Sequence, residues 1–224
     1  MNHPFWKKVL SHFTEISLEK TSSGYNPYLE VRLVQGRHQL ITKDAIYSFD
    51  DKYENFNRVF RKINWSGQNV KSVLVLGLGL GSVIYILDKK LKLEFDYTTV
   101  EIDPEICRLA YKYTLKDIHS FIEILQIDGL DYIQSTTDKF DLVIMDIFQS
   151  ALIPMKFQSE QYLGSLNELL NPGGCLLYNR MNITQDDEIN NDLFRPLFKK
   201  EFPQMAEMKV KDNLIFMSNK QFLN

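Results

Sequence analysis

The chain has 224 residues, 44% apolar and 25% charged, with a net charge of −3. That balance fits a globular protein with a packed core, and with no basic stripe visible it argues against nucleic-acid binding as the main task. No apolar run reaches the ~18 residues of a membrane span and none of signal-peptide type opens the chain, while Cys107 and Cys175 stand far apart, outside disulfide or zinc spacing. A cytoplasmic protein with no membrane contact and no bound metal is the expectation.

Residues 3–16 carry Phe5, Val9, His12 and Phe13 at helical spacing and read as a short amphipathic helix. Alternation over 28–34 and a second extended segment over 38–42, joined at Gln35-Gly36-Arg37, predict a hairpin with Gly36 at positive φ. This forms a small N-terminal β region, 1–50. Asp50 or Asp51 can cap the next helix, whose Tyr53, Phe56, Val59, Phe60 and Ile63 fall three or four apart. It opens the main domain, 51–224.

The stretch that organises the main domain is 71–82, KSVLVLGLGLGS. An apolar run ending in glycines reads as a strand buried on both faces, 71–76, and the apolar spacing after it as a helix over 80–90. Between them Gly77, Gly79 and Gly81 form a strand-to-helix turn in which a ligand can approach bare backbone. Strands are expected at 95–101, 121–126, 140–146, 175–179, 206–210 and 213–218. Helices are expected from Pro104, over 129–134, over 159–170 up to Asn171-Pro172-Gly173-Gly174, and over about 185–201. Alternating strands and helices predict a doubly wound, mostly parallel α/β sheet of seven strands, into which the terminal hairpin puts one antiparallel strand.

In such sheets ligands bind beyond the C-terminal strand ends. Here those ends carry the glycines, then Glu101-Ile102-Asp103, then Asp128-Gly129, then Asp146. Asp103 and Asp128 are equally well placed as helix caps. Glu101 is poorly placed for a cap, and it lies 101 − 77 = 24 positions after the first glycine, near the ~20-residue offset of an acid that meets ribose hydroxyls. The turn is G-x-G-x-G-S, with Ser82 where a dinucleotide fold has its last glycine and no basic residue for a pyrophosphate. That favours a nucleoside without phosphates, such as S-adenosylmethionine, over a nicotinamide dinucleotide.

With VLVLGLGLGS (73–82), VEIDPEI (100–106), DG (128–129), FDLVIMDIF (140–148) and FQSEQYLGSLNELLNPGG (157–174), the chain resembles the spermidine synthase family, a branch of the class I S-adenosylmethionine-dependent methyltransferase fold. A weaker match, 36–56, resembles the segment joining that family's N-terminal β domain to its core. The resemblance implies S-adenosylmethionine or decarboxylated S-adenosylmethionine as cofactor, a Rossmann-like sheet, a small-molecule acceptor and a homodimer. It further implies that Gly77, Gly79 and Gly81 line the methionine-like tail and that Glu101 accepts from both ribose hydroxyls. Ile102 would pack on adenine, Asp128 and Gly129 would meet the adenine edge, Asp146 would help deprotonate the attacking amine, and Tyr53 would contact it.

Two positions depart from the family pattern: Leu80 and Gln149 stand where it has aspartates that hold cationic amino groups. Loss of two charge-assisted hydrogen bonds, about 1.5–3 kcal/mol each, weakens recognition of a decarboxylated cofactor and a polyamine. Leu80 also removes a charge that would repel the carboxylate of intact S-adenosylmethionine. Methyl transfer to a small acceptor is therefore expected. The alternatives are polyamine aminopropyl transfer, with Asp50, Asp51 or Glu54 replacing the lost acids, and a non-catalytic nucleoside-binding homologue. The apolar segment 147–157 is expected to form a lid.

Overall fold

The computed structural model describes residues 3–43, 45–150 and 152–223; Asp44 in the segment 36–56 and Ala151 in the expected lid lie outside them. Two sheets are present. Strands β1 (Ile16–Thr21), β2 (Leu29–Val34), β3 (Arg37–Ile41) and β4 (Ile46–Ser48) form an antiparallel sheet in sequential order. Seven further strands are β5 (Ser72–Leu76), β6 (Asp96–Glu101), β7 (Ile122–Gln126), β8 (Phe140–Met145), β9 (Leu170–Met181), β10 (Ala206–Val210) and β11 (Asn213–Met217). They lie side by side as β7-β6-β5-β8-β9-β11-β10. All run parallel except β11, which sits antiparallel between β9 and β10, as the terminal hairpin predicted.

Alternation along β5 explains why its apolar run is unbroken. Val73 and Val75 face one core with Phe56, Phe60, Ile84 and Leu87, while Leu74 and Leu76 face another with Tyr132, Leu163, Phe194 and Phe198. Each face is covered by helices: α2 (Glu54–Phe60) and α3 (Ser82–Tyr85, continuing as a π-helical turn through Lys90) on the first, and α5 (Gly129–Ser135), α6 (Glu160–Glu168) and α7 (Gln185–Glu201) on the second. Chain order reverses beside β5, whose neighbours are β6 on one side and β8 on the other, so the crevice for a ligand opens there.

The N-terminal region departs from expectation. The helix predicted over 3–16 is only α1 (Phe5–Leu10); it buries no residue, and Phe5 and Phe13 are more than four-fifths exposed. Helical spacing was present without a partner surface to cover it, so the chain turns instead into β1. Asp50 and Asp51 do not cap α2, since Tyr53 holds that position without a side-chain bond. Asp50 is buried at φ +39°, accepting the His38 N–H at 2.8 Å, and Asp51 pairs with Arg37 and Lys90.

Side chains fasten the small sheet to the large one at several points, two of them built on buried polar groups of the main domain. Asp103, wholly buried, caps α4 (Pro104–Tyr113) through the Glu105 N–H and also accepts from the Ser23 hydroxyl and the Asn26 amide. Ser82, at the start of α3, places its hydroxyl 2.6 Å from that of Ser48 and accepts the Phe49 N–H at 3.0 Å. Leu80 completes the joint, packed without exposure among Leu29, Val31, Leu40, Ile106 and Leu109. Asp103→Ala removes a cap and leaves two part-buried donors unpaired. It should cost about 2 kcal/mol in denaturant unfolding, whereas Asp103→Asn, which keeps acceptor capacity, should cost clearly less.

Candidate active site

Beyond the C-terminal ends of β5, β6 and β8 lies a cavity of about 600 Å³. Its floor begins at Gly77, which stands at φ +90° where a Cβ would come within 2.5 Å of the Asp146 carbonyl oxygen. Only glycine lets the ends of β5 and β8 approach this closely. Gly79 follows on the same wall, with β4 against its back at the Tyr47 carbonyl.

Glu101 ends β6 and turns its carboxylate toward this floor. Oε2 accepts the Leu78 N–H at 3.1 Å and Oε1 accepts the Asp103 N–H at 3.0 Å. Burial raises its pKa, and the two backbone donors offset only part of that rise. An ionised carboxylate offers about four lone-pair sites, so after these two bonds each oxygen retains one for a donor in the cavity. A vicinal diol presents two such donors.

Asp146, just past β8, carries the other acid. Its Oδ2 accepts the Tyr53 hydroxyl at 2.9 Å and its Oδ1 accepts the Asn179 amide at 2.8 Å; Asn179 in turn accepts from the Asn213 amide at 2.9 Å. Burial raises the Asp146 pKa to about 7 against the opposing pull of Asn179 and Tyr53. Burial, with the Asp146 charge adding to it, also holds the Tyr53 hydroxyl well above its usual range. Asp146 is thus poised to exchange a proton near neutral pH, and Tyr53 stays a neutral donor.

Eight of the nine residues singled out from the sequence line this cavity: Tyr53, Gly77, Gly79, Glu101, Ile102, Asp128, Gly129 and Asp146. The ninth, Gly81, does not. At φ +84° it precedes α3 with the Leu115 side chain 2.5 Å from where its Cβ would be, so it serves the turn and the packing behind it. Asp128 is both cap and wall: Oδ1 accepts the Leu130 N–H and Oδ2 pairs with Lys156.

Other expectations change. Leu80 faces the joint with the small sheet and is absent from the cavity wall, so its exchange for an acid does not act on a cofactor tail there. Asp50 and Asp51 are engaged elsewhere and stand off the wall; of the three acids considered as replacements, only Glu54 reaches it. Gln149 does line the cavity, within the 147–157 segment. That segment closes one side through Ile147, Pro154 and Phe157, and its Ser150 N–H donates to the Tyr47 hydroxyl at 3.0 Å.

Sequence reading missed Asn179, Asn213 and the contribution of Tyr47 and Phe49 from the small sheet. Asn179 had a usable signal, since it closes the strand expected at 175–179. The others depend on segments far apart in sequence meeting in space.

A family model described as spermine/spermidine synthase domain matches residues 63–210. A protein named as a probable polyamine aminopropyl transferase from Bifidobacterium longum is 33% identical over 120 residues, 54% of this chain and 26% of that protein. The chain thus aligns with about a quarter of that relative's length. Spermidine synthase from Thermotoga maritima superposes with a TM-score of 0.68 at 13% identity, covering 90% of this chain and 72% of that one. Human methyltransferase-like protein 13, solved in complex with SAH, superposes at 0.62 with 20% identity, covering 74% and 82%.

The raised pKa of Asp146 has a consequence for stability. The unfolded chain releases this proton near pH 4, the folded chain near 7, so the folded state holds the extra proton between those values. Stability from this group is present below the unfolded pKa and is lost as pH rises through about 7. Urea unfolding at pH 5 and pH 8 should show wild type losing ground to Asp146→Asn by more than about 1 kcal/mol. A difference that does not change with pH would mean that Asp146 ionises like a surface carboxylate. The family model spans well over half of the chain, and the chain belongs to the spermine/spermidine synthase domain family.

Proposed function

We propose that the chain is a transferase that binds S-adenosylmethionine or its decarboxylated form in the cavity and alkylates an amine acceptor. The observation that carries this reading is the Glu101 carboxylate, fixed by two backbone N–H groups beside Gly77 and Gly79, with the half-buried Asp146 on the same cavity wall. The residues fit the nucleoside: Glu101 has the spare acceptor sites for a ribose diol, Ile102 offers an apolar face, and Asp128 and Gly129 present an edge next to it. When bound, the sulfonium supplies an already activated alkyl group.

The chain's own task is then alignment and proton removal. Asp146 accepts the proton of the attacking amine. Tyr53 and Asn179 fix its two oxygens, so that it waits in one orientation, and the apolar 147–157 segment keeps water out. A base with a pKa of about 7 is matched to this work near neutral pH.

Which group moves is weighted by two further points. The names of the relatives favour aminopropyl transfer over the methyl transfer expected from sequence, and Leu80 no longer argues for the intact cofactor because it faces away from the cavity. Methyl transfer keeps one observation in its favour: Gln149, a neutral side chain, lines the wall where the family carries a second acid for a cationic acceptor.

Calorimetry with S-adenosylhomocysteine and 5′-methylthioadenosine should show binding, and Glu101→Gln should weaken it by about 10- to 100-fold. Incubation with putrescine and either decarboxylated S-adenosylmethionine or S-adenosylmethionine, read by product mass, should give an aminopropylated or a methylated amine. Asp146→Asn should lower turnover by at least about a hundredfold with nucleoside affinity kept. Failure of both nucleosides to bind at millimolar concentration would refute the proposal, and binding without any product would favour the non-catalytic alternative.

A further inference from the structure

Arg180 is 4% exposed, yet its guanidinium donates to neutral groups: Nε to Asn191 Oδ1 at 2.7 Å, Nη1 to Gln158 Oε1 at 2.9 Å and Nη2 to the Asn190 carbonyl at 3.4 Å. Its carbon lies 4.1 Å from the centre of the Phe194 ring. Among the described residues no carboxylate sits within ion-pair distance of it. Burying a cation against neutral partners carries a large desolvation cost, which an apolar replacement of the whole set would avoid. Stability alone does not account for an arginine here.

The partners show what the fork connects. Gln158 closes the 147–158 segment and turns its amide onto the Ile153 carbonyl at 2.7 Å. Asn191, itself 2% exposed, donates to the Met181 carbonyl at 2.9 Å and to Asn182 Oδ1 at 3.2 Å. The first of these segments supplies Pro154, Lys156 and Phe157 to the cavity wall, and the second supplies Met181 and Ile183. Phe157 and Ile147 close on Gly129, whereas Met181 follows Asn179, the partner of Asp146. The first segment lies past the end of β8, and the second begins at Met181, the last residue of β9, and runs into Thr184, the cap of α7. A planar guanidinium with donors at fixed angles can hold two such segments in register; a flexible ammonium or an alkyl chain cannot.

We propose that Arg180 is a positioning residue that locks the 153–158 wall and the 181–183 wall of the cavity at a fixed spacing. It does so through one hydrogen-bonded line, Ile153–Gln158–Arg180–Asn191–Met181, buried at Arg180 and Asn191. That the two walls serve a nucleoside and an amine rests on the function proposed above; that Arg180 fixes them does not.

Hydrogen exchange on the ligand-free full chain tests the second statement by itself, with Arg180→Met and Arg180→Lys beside wild type. Arg180→Met, which leaves Asn191 Oδ1 buried without its donor, should lower the thermal midpoint only modestly while amide exchange in both 152–158 and 181–184 accelerates by about fivefold or more. Arg180→Lys, which keeps the charge and loses the fork, should accelerate exchange in the same two segments. Unchanged exchange in either segment for Arg180→Met overturns the proposal, and so does acceleration spread evenly over the sheet, the mark of a merely structural role. Calorimetry of wild type with S-adenosylhomocysteine separately decides whether the cavity takes the nucleoside. Where it does, Arg180→Met should raise the acceptor KM with kcat reduced less, and Arg180→Lys should fall between the two.

Discussion

The whole site depends on how closely two strand ends can approach. β5 and β8 are hydrogen-bonded neighbours, and just beyond their last paired residues Gly77 lies against the Asp146 backbone at a distance that no side chain would allow. That contact brings Asp146 onto the same floor as the glycine turn. The turn in turn offers the Leu78 N–H to Glu101, so the end of β6 is tied to the end of β5 by the carboxylate itself. Three strand ends are thus fixed relative to one another by one missing Cβ and one acid, and the cavity forms above them.

Charge is distributed in this cavity by what each acid can reach. Asp128 finds a lysine and a backbone donor, which hold its pKa below the usual carboxylate range against the cost of burial. Among the described residues, Glu101 finds only backbone donors, and Asp146 only neutral side chains. With no cation to offset burial, Asp146 moves to the middle of the pH scale, where a carboxyl group can both take and return a proton. Under the proposed function, the same absence of compensation that suits it to proton exchange makes it a burden on the folded state.

The core of this architecture was readable from residues alone because its signals are local. An unbroken apolar run into glycines, carboxylates at successive strand ends and a short terminal hairpin each specify one element without reference to any other. What could not be read depends on surfaces meeting. The amphipathic spacing at 3–16 had no partner, so only Phe5–Leu10 is helical. Gly81 and Leu80 sit in the glycine motif but face Leu115 and the small sheet, a direction that the motif does not encode. Ser82 looked like a substitute for a glycine and is in fact the hydroxyl that fastens β4. At Leu80, Gly81 and Ser82 the residue type was right for the turn, and what packs there comes from elsewhere in the chain: Leu115 behind Gly81, the small sheet against Leu80 and Ser82.

That redirection bears on how the chain would select a substrate under the proposed function. An argument from charge at Leu80 requires its side chain to face the ligand, and it faces the joint between the two sheets instead. Discrimination must therefore fall to residues that do reach the wall at the Asp146 end: Gln149, Glu54, Tyr53 and the Asn179–Asn213 pair. Apart from Asp146, only Glu54 among these bears a charge, and it already pairs with Arg58 on the exposed face of α2. An acceptor entering there meets neutral amides around the half-buried Asp146 carboxyl group, with Lys52, Lys211 and Asp212 also on the wall, so neutral hydrogen bonds and charges of both signs act along its length. Shape, set by the spacing of the walls, then adds to the selectivity that these charges give.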